Sequence, residues 1–409
     1  MNDNHKCNIL VMTSTLPRWK DDPTPSFVLD FCKHLKSANL SIKILAPHYI
    51  NSRIRERVDG VDIQRFRYWP VESGQNITYV KSATQLIRLR PLYAAKLLAF
   101  LASLFIHTLT IAKRQKPILI NAHWIIPQGF IAVLVGKLLK IPVVVTVHGG
   151  DIFGLQGKLF KAIKRWTLEN ATSVVVNSSA TERSVQQISE RISTEKIPMG
   201  IAVYTVSEDE AQSETGNQDQ FTVLFAGRVS DEKGVIFLCE AFLLLKRRTT
   251  NTTRKIKLII AGSGPAEEEV RKFITENDLE DSIELKGWLS HPELHTLYRY
   301  ADVLVGPSIT LENGWQEAFG LVFAECLSTG TPVIATRTGG ISDIVEDSVS
   351  GFLVPERDPA AICEKLLYLL SNPQKASEMG KRGKEHVEKN FLWNGIVSKY
   401  KNVFSRAIN

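Results

Sequence analysis

The feature that most constrains this chain is an alternation that runs, stops and starts again. Short apolar runs, "NILVMTS" (8–14), "SIKILAP" (41–47), "ILINAHW" (118–124), "PVVVTVHG" (142–149) and "TSVVVNSS" (172–179), are each followed by a helical stretch. Strands that are apolar on both faces and separated by helices belong in parallel sheets covered on both sides. The rhythm then breaks at "SEDEAQSETGNQDQ" (207–220), which has no Lys or Arg and almost nothing apolar. Such a composition reads as a flexible linker. It resumes with "FTVLFAG" (221–227), "KIKLIIAG" (255–262), "SIELKGW" (282–288), "DVLVGPS" (302–308), "TPVIAT" (331–336) and "SGFLVP" (350–355). The expected class is therefore α/β, with two doubly wound, Rossmann-like domains. We place the N-terminal domain at 1–206, the linker at 207–220 and the C-terminal domain at 221–385. A C-terminal helix at 386–409 is expected to pack back toward the first domain. At 409 residues the chain is also too long for one growing core. Ligands of such sheets bind beyond the carboxyl ends of the strands, and a cleft between the domains is the expected site.

Composition narrows the function. A content of 44% apolar and 23% charged residues excludes disordered and fibrous classes. The net charge of +7 favours anionic partners such as phosphates, nucleic acid or acidic lipid without choosing among them; once the motifs below are read, no nucleic-acid partner is expected. Five scattered cysteines without a C-x-x-C pair fit neither a disulfide framework nor a zinc site, which points to a reducing, cytoplasmic compartment. Residues 92–112 are long enough to span a bilayer, but Lys96 and His107 interrupt them. A buried helix is the expectation, and a helix lying at a membrane interface is the alternative. Basic clusters at "RIRER" (53–57), "RFR" (65–67) and "KLFKAIKR" (158–165) fit an anionic or lipid-linked acceptor, or only a solvated face.

Chemistry concentrates in the second half. In "FAGRVSDEKGV" (225–235), Arg228 and Lys233 share one loop before a helix. Two fixed cations beside a helix N-terminus suit a diphosphate, although surface solvation is the ordinary fate of such residues. "AGSGPAEEEV" (261–270) lacks the third glycine of the dinucleotide fingerprint and any Walker lysine, so a tight strand-to-helix turn is its plainer reading. In "ENGWQEAFGLVFAECLSTGTPV" (312–333), Glu317 lies in a loop and Glu325 a turn inside a helix starting at Gly320. Their carboxylates should lie ~8–12 Å apart, too far for a shared proton. That spacing suits the two ends of a sugar nucleotide, with free N–H groups of Phe319 to Val322 between them. A capping acid plus a solvated helix acid is the bland alternative.

Together "GRVSDEKG", "AGSGP", "PSITLENGWQEAFGLVFAECLSTGTPVIATRTGGISDIV" and "GFLVPERDP" resemble, in order and spacing, the retaining GT-B-fold glycosyltransferases of the glycogen-synthase-like group, family 4. The resemblance implies a GT-B architecture, a nucleotide diphosphate sugar as donor, and a sugar or lipid-linked glycan as acceptor. It implies no cofactor and no metal. By position, Arg228 and Lys233 would neutralise the leaving diphosphate, Glu317 would contact the donor sugar, and Glu325 would hold the ribose. The backbone of Phe319, Gly320, Leu321 and Val322 would support phosphate and sugar, while Gly264, Trp288 and Leu289 would border the base. "NAHWIIPQGF" (121–130) and "VTVHGGDIF" (145–153) resemble acceptor-side motifs, with His148 reaching the donor sugar and Asp151 nearby.

Two departures stand out. The first strand-to-helix loop, "STLPRWKDDPTPSFV" (14–28), contains no glycine, which leaves the roles of Asp22, Thr24 and Ser26 open. "MGIAV" (199–203) lacks the acid usual in the family. The implied function is retaining glycosyl transfer in polysaccharide, glycolipid or cell-envelope synthesis, in the cytoplasm or at the inner face of the membrane. A sugar-nucleotide epimerase or a non-catalytic binding protein are the rival readings; an NAD-dependent oxidoreductase ranks last.

Overall fold

The computed structural model describes residues 8–20, 22, 24–36, 40–77, 91–202, 219–250 and 254–409. All but the last two residues of the expected linker lie outside these. The chain divides into two compact units, Met1–Gly200 with Trp393–Asn409, and Ile201–Leu392.

The first unit holds eight strands: β1 (Ile9–Met12), β2 (Ile42–Pro47), β3 (Arg55–Val58), β4 (Val61–Phe66), β5 (Leu119–His123), β6 (Val143–Val147), β7 (Ser173–Val176) and β8 (Thr194–Lys196). Their order is β3-β4-β2-β1-β5-β6-β7-β8, and only β3 runs antiparallel to its neighbour. The central strands are buried throughout, as their unbroken apolar runs require. β3 and β4 escaped the sequence reading because they alternate charged and apolar residues at the sheet edge. The signal that could have found them is Asp59-Gly60, a two-residue turn with both residues at positive φ.

Three expectations need correction here. Arg65, read as part of a basic patch, is 1% exposed and donates to the carbonyls of Arg53 and Pro17 at 2.9 and 2.7 Å. Lys164, in another such patch, is buried, and its Nζ donates to the Ile152 carbonyl at 2.9 Å. Each cation satisfies backbone that the fold would otherwise strand. The apolar stretch forms the helix Pro91–Gln115, but it is not a buried helix. Phe100, Leu104, Thr108, Ile111 and Ala112 face inward, while Leu98 and Ile106 are 68% and 58% exposed. By length and composition this helix could cross a membrane.

The C-terminal helix also starts later than expected. Residue 386 falls inside the helix Pro373–Asn390, and the last helix is Trp393–Ile408. The break at Phe391–Leu392 coincides with a bridge from Leu392 to Ile201. Trp393, Ile396, Val397, Tyr400, Val403 and Phe404 then join the core of the first unit, beside Phe31 and Ile44.

The second unit has six strands, all parallel: β9 (Gln220–Ala226), β10 (Lys255–Ala261), β11 (Ile283–Gly287), β12 (Val303–Gly306), β13 (Val333–Thr336) and β14 (Gly351–Val354). The order β11-β10-β9-β12-β13-β14 reverses direction at β9, the place where loops from both halves of a sheet diverge. Phe221, Phe225, Phe242, Leu245 and Ile260 fill its core.

Candidate active site

Every chemically charged motif of the second unit follows the carboxyl end of a strand. The loop after β9 turns through Asp231–Lys233 and enters the helix Val235–Arg248. It carries Arg228, exposed and in no ion pair among the described residues, and Lys233. The turn after β10 packs on this loop, backbone to backbone. Val229 N donates to the Ser263 carbonyl at 3.2 Å, and Ala266 N to the Val229 carbonyl at 3.1 Å. A Cβ on Gly264 would stand 2.1 Å from that Val229 oxygen. Gly264 is thus demanded by the contact between two loops, whatever lies beyond them. Beyond β11, Trp288 is 51% exposed and Leu289 half-buried.

The loop after β12 brings the first glutamate. Glu317 forms an ion pair with Lys233, from 84 residues away, and both side chains are largely shielded, at 13% and 23% exposure. The two residues expected at the sugar and at the diphosphate therefore meet each other. Gly340 N fixes the Glu317 carbonyl at 2.9 Å. Gly320, with φ of 94°, begins the helix Leu321–Ser328. The N–H groups of Leu321 and Val322, in the first turn, cannot have intrahelical partners. The side chain of Phe319 points elsewhere: it is buried edge-on against Phe391, with ring centroids 5.9 Å apart, so only its backbone can serve a ligand.

Glu325 sits one turn in and receives a hydrogen bond from Tyr298 Oη at 3.2 Å. Burial raises its pKa, against the opposing charge of His291 and the Tyr298 bond. Burial and the neighbouring Glu325 likewise push the Tyr298 hydroxyl well above its ordinary range. Tyr298 was not legible in the sequence, because its helix (His291–Tyr300) meets Glu325 only through the tertiary fold.

In the first unit, His148 lies in an aromatic box. Its ring is 5.1 Å from Phe27 and 4.9 Å from Trp124, and Nε2 is 2.8 Å from His123 Nδ1. Burial drives His148 down to about 3 and His123 well below its usual value, so both rings are neutral at pH 7. Among the described residues His148 Nδ1 has no partner. His123 was within reach of the sequence reading, since β5 ends on it and pairs with β6 two residues before His148.

The remaining first-unit candidates are occupied by neighbouring groups of the same unit. Asp151, 3% exposed, accepts N–H bonds from Ile125 at 2.6 Å, Gly149 at 3.0 Å and Ile152 at 3.1 Å. It ties the loop after β5 to the loop after β6. Burial raises its pKa despite those donors. Asp22 takes the guanidinium of Arg18 at 2.6 and 2.8 Å, and also the N–H groups of Arg18 and Thr24. Burial opposes ionisation, but these donors hold its pKa below the usual carboxylate range. Thr24 Oγ1 donates to Asp22 at 3.2 Å, and Ser26 Oγ to Asp30 at 2.6 Å. The loop without glycine is held by this Arg18–Asp22 clamp.

A two-unit parallel α/β fold of this kind is shared with solved glycosyltransferase structures. Residues 206–386 match the family described as Glycosyl transferases group 1, and residues 25–197 the Glycosyl transferase 4-like domain. The chain is 29% identical over 287 residues to an uncharacterized glycosyltransferase of Methanocaldococcus jannaschii, covering 70% of this chain and 74% of that one. It is 28% identical over 314 residues to the D-inositol 3-phosphate glycosyltransferase of Corynebacterium efficiens, covering 71% of each. Among solved structures, sucrose-phosphate synthase from Thermosynechococcus elongatus superposes with a TM-score of 0.75 at 22% identity, over 97% of this chain and 98% of that one. Anabaena HepE in complex with UDP-glucose gives 0.70 at 17% identity, over 97% and 99%. The chain belongs to the group 1 glycosyltransferases of GT-B fold.

Proposed function

We propose that this enzyme transfers a glycosyl group from a nucleoside diphosphate sugar to an acceptor hydroxyl, with retention at the anomeric carbon. The observation that carries the reading is the convergence of Lys233 and Glu317 from loops 84 residues apart, on the unit that also presents Arg228 and Glu325. The bond from the anomeric carbon to the diphosphate breaks while the acceptor oxygen bonds on the same face. The acceptor's proton leaves with the diphosphate. Negative charge grows on the leaving group and positive charge on the sugar. Arg228 and Lys233 meet the first, and Glu317 the second; fixed charges of this kind act without reorganising. A diphosphate that engages Lys233 competes with Glu317 for it. The exposed ring of Trp288 suits a base, and Glu325 suits the ribose hydroxyls. That HepE holds UDP-glucose on the same fold supports this class of donor. His148 Nδ1, on a neutral ring and without a partner among the described residues, is proposed to meet a sugar hydroxyl.

For the acceptor we infer a glycan or lipid-linked glycan, met in the cytoplasm at an anionic membrane surface. The helix Pro91–Gln115 contains no acid, exposes Leu98 and Ile106 along one face and ends in Lys113 and Arg114. That combination suits an interfacial helix.

Thermal melting with UDP-glucose, UDP-N-acetylglucosamine, GDP-mannose and ADP-glucose tests the donor. A binder at 100 times its Kd adds about 2.7 kcal/mol to the stability of the second unit. If none of the four, nor their free diphosphates, raises the melting temperature, the reading is wrong.

A further inference from the structure

One residue of the loop that carries Glu317 is held at every polar atom it has. Thr310 N donates to Glu356 Oε2 at 2.6 Å, and Thr310 Oγ1 donates to Glu356 Oε1 at 2.8 Å. The Thr338 hydroxyl lies 2.9 Å from Thr310 Oγ1, and Arg357 Nη2 donates to the Thr310 carbonyl at 2.8 Å. Proton directions follow from the carboxylate, which can only accept. Thr338 therefore donates to Thr310, and Thr310 to Glu356. Charge-assisted bonds of this kind are the stronger sort, and here one carboxylate takes two of them.

The clasp sits between two other ties. Ile309 N, next door, donates to the Glu232 carbonyl at 2.9 Å, one residue before Lys233. At the far end Gly340 N holds the Glu317 carbonyl. Between them residues 311–315 close on themselves, with Leu311 N to the Trp315 carbonyl at 2.9 Å and Trp315 N to Asn313 Oδ1 at 2.9 Å. The loop is thus a small closed turn whose base is pinned by Glu356. We propose that Glu356 is a positioning residue for the transferase: acting through Thr310, it fixes the loop 308–317 and so sets the Glu317 carboxylate against Lys233. Glu356 itself faces no reacting atom in this scheme. The functional part rests on the transferase reading above; the structural part does not.

The test uses the full chain with Glu356→Ala, Glu356→Gln and Thr310→Val. Hydrogen–deuterium exchange of the free proteins reads the clasp without any substrate. Faster exchange across 309–317 in Glu356→Ala, with the strands of the unit unchanged, supports it; unchanged exchange overturns it. Nucleoside diphosphate release from the four sugar nucleotides named above reads the function. Small misplacements of a reacting group are costly, so Glu356→Ala should lower kcat roughly 10- to 100-fold while donor KM moves less than about twofold. Glu356→Gln should recover most of that loss, because the amide can offer its oxygen to Thr310 N and its NH2 to Thr310 Oγ1, with the hydroxyl chain reversed. Thr310→Val, which keeps the N–H bond, should fall between. A kcat within twofold of wild type in Glu356→Ala, or a Gln variant as impaired as the Ala variant, overturns the positioning role. A wild-type enzyme that releases nothing from any of the four overturns the transferase reading instead, and the exchange result still decides the clasp.

Discussion

The two units use their charged residues differently. In the first, each candidate carboxylate is already committed: Asp151 to three backbone N–H groups, Asp22 to Arg18 and its own loop. In the second, Arg228 is exposed without an ion pair among the described residues, and Lys233 and Glu317 neutralise each other across two loops. A carboxylate on backbone N–H groups builds a loop. A cation exposed at a strand end, or paired with a side chain that a ligand can replace, is available for binding. The same residue types in similar places thus divide into architecture and chemistry, and the division can be tested.

The largest effect should come from the chemical side. Arg228→Ala should reduce kcat by roughly two to three orders of magnitude, the scale of losing one fixed stabiliser of transition-state charge. Because Arg228 is exposed, its stability should shift by no more than about 0.5 kcal/mol. Near-normal turnover with intact folding would place Arg228 among ordinary surface cations and erase the contrast.

Asp151→Ala should do the reverse. It strands the buried N–H groups of Ile125 and Gly149, a loss of about 3 kcal/mol of stability in the first unit, while Ile152 N keeps the Gly149 carbonyl at 3.0 Å. Donor binding by the second unit, read by calorimetry below the melting range, should be unchanged. A variant with wild-type melting and impaired donor binding would make Asp151 a ligand contact after all.

The sequence exposes one of these two layers much better than the other. Parallel strands show because burial on both faces leaves unbroken apolar runs such as Val143–Val147 and Val333–Thr336. The hairpin β3–β4 does not, since its half-exposed pattern resembles a charged loop. Loop candidates such as Glu317 and Lys233 were legible as residue types at strand ends. Their pairing was not, nor was Tyr298 beside Glu325 or Glu356 on Thr310. These contacts join residues 84, 27 and 46 positions apart and leave no trace in local periodicity. The partners of Asp151 and Asp22 were hidden for a related reason: a motif shows which residue is present, and only the fold shows what its carboxylate accepts.

A smaller effect sharpens the architectural side. His123 and His148 are neutral in the folded unit, with His148 lowered to about 3 by burial, whereas an unfolded imidazole takes a proton near pH 6.5. Below that pH the unfolded chain binds more protons than the folded one, so stability falls as pH falls, down to the folded value. For His148 the step from pH 6.5 to 5.5 costs about 1 kcal/mol. Urea unfolding of wild type and His148→Asn at the two pH values reads it directly. Equal pH slopes in the two proteins would mean that the ring is not held neutral by the fold.

The smallest effect lies at the boundary between the two roles. Glu325 is shielded from solvent in part, as an architectural acid is more fully, yet Tyr298, which donates to its carboxylate, supports its ionised form. Burial has already raised its pKa, so the bond from Tyr298 opposes that shift. Tyr298→Phe keeps the ring's packing and removes the bond, and the Glu325 pKa must rise further. If the ionised carboxylate holds the ribose, the acid limb of the donor-binding profile moves to higher pH in Tyr298→Phe, while affinity well above that limb stays near wild type. The shift disappears if uridine diphosphate is replaced by inorganic pyrophosphate, which has no ribose to hold. An identical acid limb in wild type and variant, with a nucleotide that does bind, would assign Glu325 to the scaffold together with Asp151.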